Sequence, residues 1–212
     1  LYELNMRKRS YAMNMLPGSG WKIKSNLSYE WNQFMDGFAV SEEYSTFGAN
    51  FVSHNTARIT AEAERHFTLN KEKKIVATIK GIGGGISKPD VDDFFHFFGG
   101  GLPGLKGYTF YEESLTGPYY FVGTAALRLP LFLEQNYTWA QFNMQNLSLG
   151  GIFQFGSAIQ NSLSEIIEDD HYKLSAGLEC RLHGFSFYSY PSAISYEYHQ
   201  PISDLDEQGK HY

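Results

Sequence analysis

Along most of this chain the side chains alternate in character with a period of two, and that rhythm limits the fold more than any other property. A strand turns successive side chains to opposite faces, whereas a helix repeats every 3.6 residues. From Trp21 to Trp31 the odd positions are Trp21, Ile23, Ser25, Leu27, Tyr29 and Trp31. The even positions are Lys22, Lys24, Asn26, Ser28 and Glu30. One face is apolar and the other polar or charged. The pattern returns at Ala57, Ile59, Ala61, Ala63 and Phe67, and at Phe121, Ala125, Leu127, Leu129 and Leu131. It returns again at Leu147, Leu149, Phe153 and Phe155, at Tyr172, Leu174, Ala176, Leu178, Cys180 and Leu182, and at Ile194, Tyr196 and Tyr198. Weaker runs cover Tyr2, Leu4, Met6 and Ile75, Ala77, Ile79. About eight segments result, many near the ~9–11 residues with which a tilted strand crosses a bilayer. The fold expected is all-β and antiparallel, a transmembrane β-barrel in which this chain supplies about eight strands.

Composition narrows the alternatives. Aromatic residues make up 17% of the 212 residues and charged ones only 19%, with 21 glycines, which suits strands joined by many turns. No apolar run approaches the ~18 residues of a transmembrane helix, an absence that leaves barrel strands untouched. A net charge of −6 and the lack of a basic, aromatic-laced patch argue against a nucleic-acid partner. The one cysteine, Cys180, excludes an internal disulfide and reads as a small apolar residue on an outer strand face.

Connections are read as short and long in alternation. Leu69–Glu72 and His183–Phe185 fit tight turns on one side, while Asn32–Asn55, Gly83–Pro118 and Ile159–His171 read as long connections on the other. Trp21, Trp31, Phe67, Trp139, Phe187 and Tyr190 are candidates for interfacial girdles; the alternative is packing inside a soluble sandwich. The chain starts within a strand at Leu1 and ends at Lys210-His211-Tyr212, as if another strand were opening. Residues 1–212 are therefore expected to form one domain, the C-terminal part of a larger barrel whose earlier strands, periplasmic domain and last strand lie outside this sequence.

The charged positions on the polar face, Lys22, Lys24, Arg58, Glu62, Glu64, Lys74, Arg128, Lys173, Glu179, Arg181 and Glu197, are expected to line a water-filled lumen. Chemistry is poorly supported. The seven histidines, His54, His66, His96 and His171 among them, form no His-x₃-His pair with a nearby glutamate, and no cysteine set would hold zinc. Gly81–Gly85 lacks the Gly-Lys-Ser/Thr of a phosphate loop. Asp90, Asp92 and Asp93 read as a solvated acidic turn rather than a calcium site. The expectation is a non-enzyme without cofactor or metal.

The segment Gly99-Gly100-Gly101-Leu102-Pro103-Gly104-Leu105-Lys106-Gly107-Tyr108 cannot continue a helix or a central strand. It reads as a tucked loop presenting Lys106 and Tyr108. With the preceding Asp93-Phe94-Phe95-His96-Phe97-Phe98 it resembles the sixth-loop signature of the BamA/TamA-type bacterial surface-antigen superfamily, whose hydrophobic-Arg-Gly-aromatic tetrad is matched by Leu105-Lys106-Gly107-Tyr108, just after Gly104. Gly123–Pro130, Lys173–Glu179 and Ile194–Pro201 resemble that family's later strands, and Leu16–Trp21 its turn into a mid-barrel strand. The ordered set covers nearly the whole chain.

The resemblance implies a sixteen-stranded barrel in a bacterial outer membrane, in contact with outer-membrane lipids and with other outer-membrane or periplasmic subunits. The function it implies is assembly, insertion or translocation of outer-membrane proteins. The alternative is a structural anchor or accessory subunit without insertase activity, and a passive pore is the third reading. Departures bear on the loop. The family's tetrad arginine pairs with lumenal carboxylates, but here it is Lys106, Arg128 stands where a glutamate is expected, and Gln154 where an aspartate is expected. Lysine keeps the charge without the bidentate fork, and Arg128 would repel it. Glu179 and Glu197 are the replacement partners considered.

Overall fold

The structure is a computed structural model and describes residues 1–8, 17–41, 46–89, 93–159, 172–187 and 190–203. The chain is all-β and antiparallel. Its main sheet contains β1 (Tyr2–Asn5), β2 (Gly20–Ser41), β3 (Thr46–Asn70), β4 (Ile75–Ile86), β7 (Tyr119–Phe132), β9 (Phe142–Ile159), β10 (Lys173–Ser186) and β11 (Tyr190–Pro201), joined in that order. The short β8 (Tyr137–Trp139) pairs with the start of β9. Between β4 and β7, β5 (Phe97–Phe98) pairs with β6 (Thr116–Gly117), flanked by single 3₁₀ turns at Asp93–Phe95 and Glu113–Leu115. The described sheet is open: β1 and β11 are its two edges and do not pair with each other.

Alternation sets the faces as the sequence expects. Leu127, Leu129, Leu149, Phe153, Leu178, Ile194, Tyr196 and Tyr198 are exposed on one face, while His66, Thr78, Arg128, Asn146, Ser148, Gln154, Ser175 and Glu179 are buried on the other. The usual arrangement of a water-soluble sheet, apolar in and polar out, is reversed. The polar face is covered by the β4–β7 connection. Leu105, Tyr108 and Leu115 from that connection pack on Val122 and Tyr120 of β7. Phe97 packs on Ile86 and stacks at 4.8 Å against Tyr120.

Four expectations need correction. The Asn32–Asn55 connection is mostly strand, because β2 and β3 keep pairing out to Ser41↔Thr46 through a register shift between Met35 and Phe38. Its apolar residues fall in adjacent pairs among polar ones, as in Phe34-Met35 and Phe51-Val52, so no alternation marks them. The Gly83–Pro118 connection begins later than expected: Gly83, Gly84 and Gly85 belong to β4, opposite Phe121, Tyr120 and Tyr119. Those rings supply the packing that the glycines lack. The His183–Phe185 turn lies inside β10, where Gly184 marks a β-bulge, and the chain reverses after Ser186. Lys74 is not on the polar face; it sits in the β3–β4 turn with φ 51° and pairs with Glu134 at 3.1 Å. Asp90, Asp92, His171, most of the Ile159–His171 connection, and Lys210–Tyr212 lie outside the described residues.

Candidate functional site

The tip of the β4–β7 connection lies on the polar face. A turn closed by Gly104 N–H donating to Gly101 O, at 3.1 Å, and a 2.7 Å bond from Leu105 N–H to Gly99 O fold the Gly99–Leu105 stretch on itself. Leu105 is fully buried and anchors the turn. The next residue then points its ammonium along the sheet to β11. Lys106 Nζ forms a charge-assisted hydrogen bond with Glu197 Oε2. Its backbone N–H donates to Gln154 Oε1 on β9 at 3.0 Å, and the Gln154 amide donates to Thr124 Oγ1 on β7 at 3.0 Å. Gly107 has φ 95°, a conformation that side-chain-bearing residues avoid, and lies close to the backbone of Gln200 and Pro201. Tyr108 then donates its hydroxyl to Leu174 O on β10 at 2.8 Å. Three consecutive residues thus attach the tip to β9, β10 and β11.

Arg58 on β3 holds the other end of the connection. Its guanidinium donates to Phe95 O and His96 O at 2.8 and 3.2 Å and lies 4.3 Å from the centre of the Phe97 ring.

Beside the tip, charges run across the whole sheet. Glu197 also accepts from Arg181 on β10 at 3.2 Å, and Arg181 lies 2.9 Å from Glu179. Glu179 is buried and receives Arg128 of β7 through Nε and Nη2. Arg128 Nη1 donates to Thr78 Oγ1 on β4 at 3.1 Å, and Thr78 Oγ1 is 2.9 Å from His66 Nδ1 on β3. His66 Nε2 is 3.3 Å from Glu64, an ion-pair distance whose angle falls short of a hydrogen bond. Glu179 and Glu197 are direct cross-strand neighbours. Like charges so placed repel, and Arg128, Arg181 and Lys106 offset that repulsion.

The sequence singled out the Gly104–Tyr108 motif, Glu179, Glu197, Arg128 and Gln154, and the structure brings all of them to this one face. The two acids divide the work: Glu197 holds Lys106, and Glu179 holds Arg128. The repulsion expected between Lys106 and Arg128 is relieved because each has its own carboxylate. Thr78, His66 and Gly150 escaped the sequence reading. Gly150, a glycine inside a run of alternating residues, was the available signal.

A cavity of about 360 Å³ opens beside the tip, and residues near β1 and β2 line it together with residues of β10 and β11, so the sheet curls around the loop. Among the described residues no group of three or more histidine, cysteine or acidic side chains is placed to hold a metal ion. No protein-family model, curated protein or solved structure matches the chain.

Proposed function

We propose that this chain is part of the wall of a bacterial outer-membrane β-barrel of the surface-antigen type, acting in the insertion or translocation of other outer-membrane proteins. The sixteen-stranded size is carried by the family resemblance. Two features support the membrane setting. The exposed face is apolar over many strands, from Trp21 on β2 to Tyr198 on β11, whereas soluble monomers rarely expose large contiguous apolar patches. Along β2 that face begins at Trp21 and ends at Tyr29 and Trp31, aromatic residues at both ends of an apolar stretch, as interfacial girdles require.

The observation that carries the functional reading is the bond from Lys106 to Glu197. It attaches a loop on the polar face to β11, the last strand of the described sheet. The resemblance sets one further strand beyond β11, and the seam between a barrel's last and first strands is where an incoming strand can add by main-chain hydrogen bonding. A loop fastened to β11 then lies one strand away from that seam. Depleting the protein from cells and following the assembly of other outer-membrane barrels tests the proposal; normal assembly of all of them refutes it.

The anchor reading has an observation in its favour. Arg58 grips the start of the connection and Tyr108 fixes its end to β10, so the loop is held like a permanent plug. An anchor predicts unchanged assembly of other barrels and loss of a bound periplasmic or membrane subunit on depletion.

A further inference from the structure

The cavity beside the loop tip has more positive charge than its own carboxylates balance. Arg7, Lys22, Lys80, Lys106, Arg128 and Arg181 line it, against Glu64 and Glu197. Glu62 and Glu179 approach from outside the lining to pair with Lys80 and Arg128. Six cations against four carboxylates leave a surplus of two, in a chain whose overall charge is −6. The surplus has an address. Among the described residues Arg7 forms no ion pair and bonds only to the neutral Asn5 side chain, while Lys22 lies opposite Glu64 on β3 without closing an ion pair to it. The Arg181 Nε is buried with no hydrogen-bond partner.

These cations sit on opposite sides of the space. Arg7 and Lys22 come from the β1–β2 side, and Arg181, with Lys106 at the loop tip, from the β10–β11 side. Gln154 and Thr124 supply neutral polar groups between them. The volume falls in the range that accommodates small ligands. A net positive lining with low-dielectric walls also focuses the potential inside.

We propose that this cavity is a binding site for a multiply charged oxyanion of the diphosphate class, either free in solution or borne by a lipid headgroup with two phosphates. Arg7 and Lys22 hold one end and Arg181 the other. The site does not depend on the barrel's proposed role in assembly, since its residues are named from the cavity alone.

The test uses the whole protein purified in detergent. Inorganic pyrophosphate is titrated calorimetrically at low and at physiological ionic strength, with inorganic phosphate as the comparison that carries one phosphate group and fewer charges. Pyrophosphate is expected to bind more tightly than phosphate, and binding is expected to weaken as salt rises. Lys22→Gln and Arg7→Gln are each expected to weaken it about tenfold, the loss of one charge-assisted contact. Cold electrophoretic mobility checks that both variants remain folded. Reconstitution into phosphatidylcholine vesicles with and without cardiolipin separates the sources: competition by cardiolipin against pyrophosphate identifies a headgroup site, and its absence a site for the free anion. No heat up to about 10 mM pyrophosphate, or equal affinity in folded Lys22→Gln, overturns the proposal.

Discussion

Arg128 and Glu179 lie on strands that are not neighbours, and they meet by reaching across Gly150. In register, Arg128 of β7 is opposite Gly150 of β9, and Gly150 is opposite Glu179 of β10. A Cβ built on Gly150 would lie 2.6 Å from Glu179 Oε1 and 2.7 Å from its Cγ. The missing side chain is the channel through which the pair forms. Gly150→Val is therefore expected to separate the two charges and leave both buried, at a cost of roughly 3–5 kcal/mol. Urea unfolding measures this. The Gly150→Val and Glu179→Gln changes should be strongly non-additive, since both remove the same pair; simple additivity would show that Gly150 serves something else.

Lys106 and Glu197 invite a charge exchange. Lys106→Ala and Glu197→Gln are each expected to loosen the loop tip, by roughly 1.5–3 kcal/mol for a hydrogen bond to a charged group. Limited proteolysis within 99–108 reports the loosening. Lys106→Glu combined with Glu197→Lys should recover part of the protection. No recovery, with folding intact, would mean that Arg181 and His199 around Glu197 reject the exchanged lysine.

Tyr108→Phe removes one hydroxyl donor and leaves the ring in place. Leu174 O keeps its 2.8 Å bond from Ile202 N–H, so the loss is that of one hydrogen bond, about 1 kcal/mol of loop stability. The same proteolysis assay reads it, and the effect should be smaller than that of Lys106→Ala.

Gly107→Ala addresses the backbone alone. A residue with a Cβ at φ 95° is strained by about 1–3 kcal/mol. Cleavage within the loop is expected to rise while the barrel's cold mobility stays unchanged.

The reversed faces make a fifth contrast. Leu149→Arg adds a charge to the exposed apolar face and should cost about 2–4 kcal/mol if that face meets lipid near the midplane. Lys24→Gln on the polar face should fold normally. Equal yields of folded protein from both variants in lipid vesicles would argue for a water-facing outer surface.

Legibility followed chemistry. β7, β9, β10 and β11 could be read from residues such as Leu127, Phe153, Leu178 and Tyr196 because one face is apolar and the other is not. The far halves of β2 and β3 could not, since Phe34-Met35 and Phe51-Val52 put apolar side chains on both faces and the register shifts between Met35 and Phe38. The Gly81–Gly85 strand was hidden because its packing comes from Tyr119 and Tyr120, rings placed there by register. For the site, the motif around Lys106 and its candidate partners were readable as charges on one face. Which acid takes which cation was not, because that depends on cross-strand register and on the gap at Gly150.

Beyond Ala57 and Ser87 the strands β2 and β3 pair only with each other, for about ten residues each, or roughly 30 Å at ~3.3 Å per residue. Phe34 on that free ribbon rests edge-on against Phe95 at 5.4 Å, and Phe95 supplies one of the carbonyls that Arg58 grips. The two-stranded ribbon therefore touches the root of the loop directly, through Phe34 and Phe95, without the intervening strand β4.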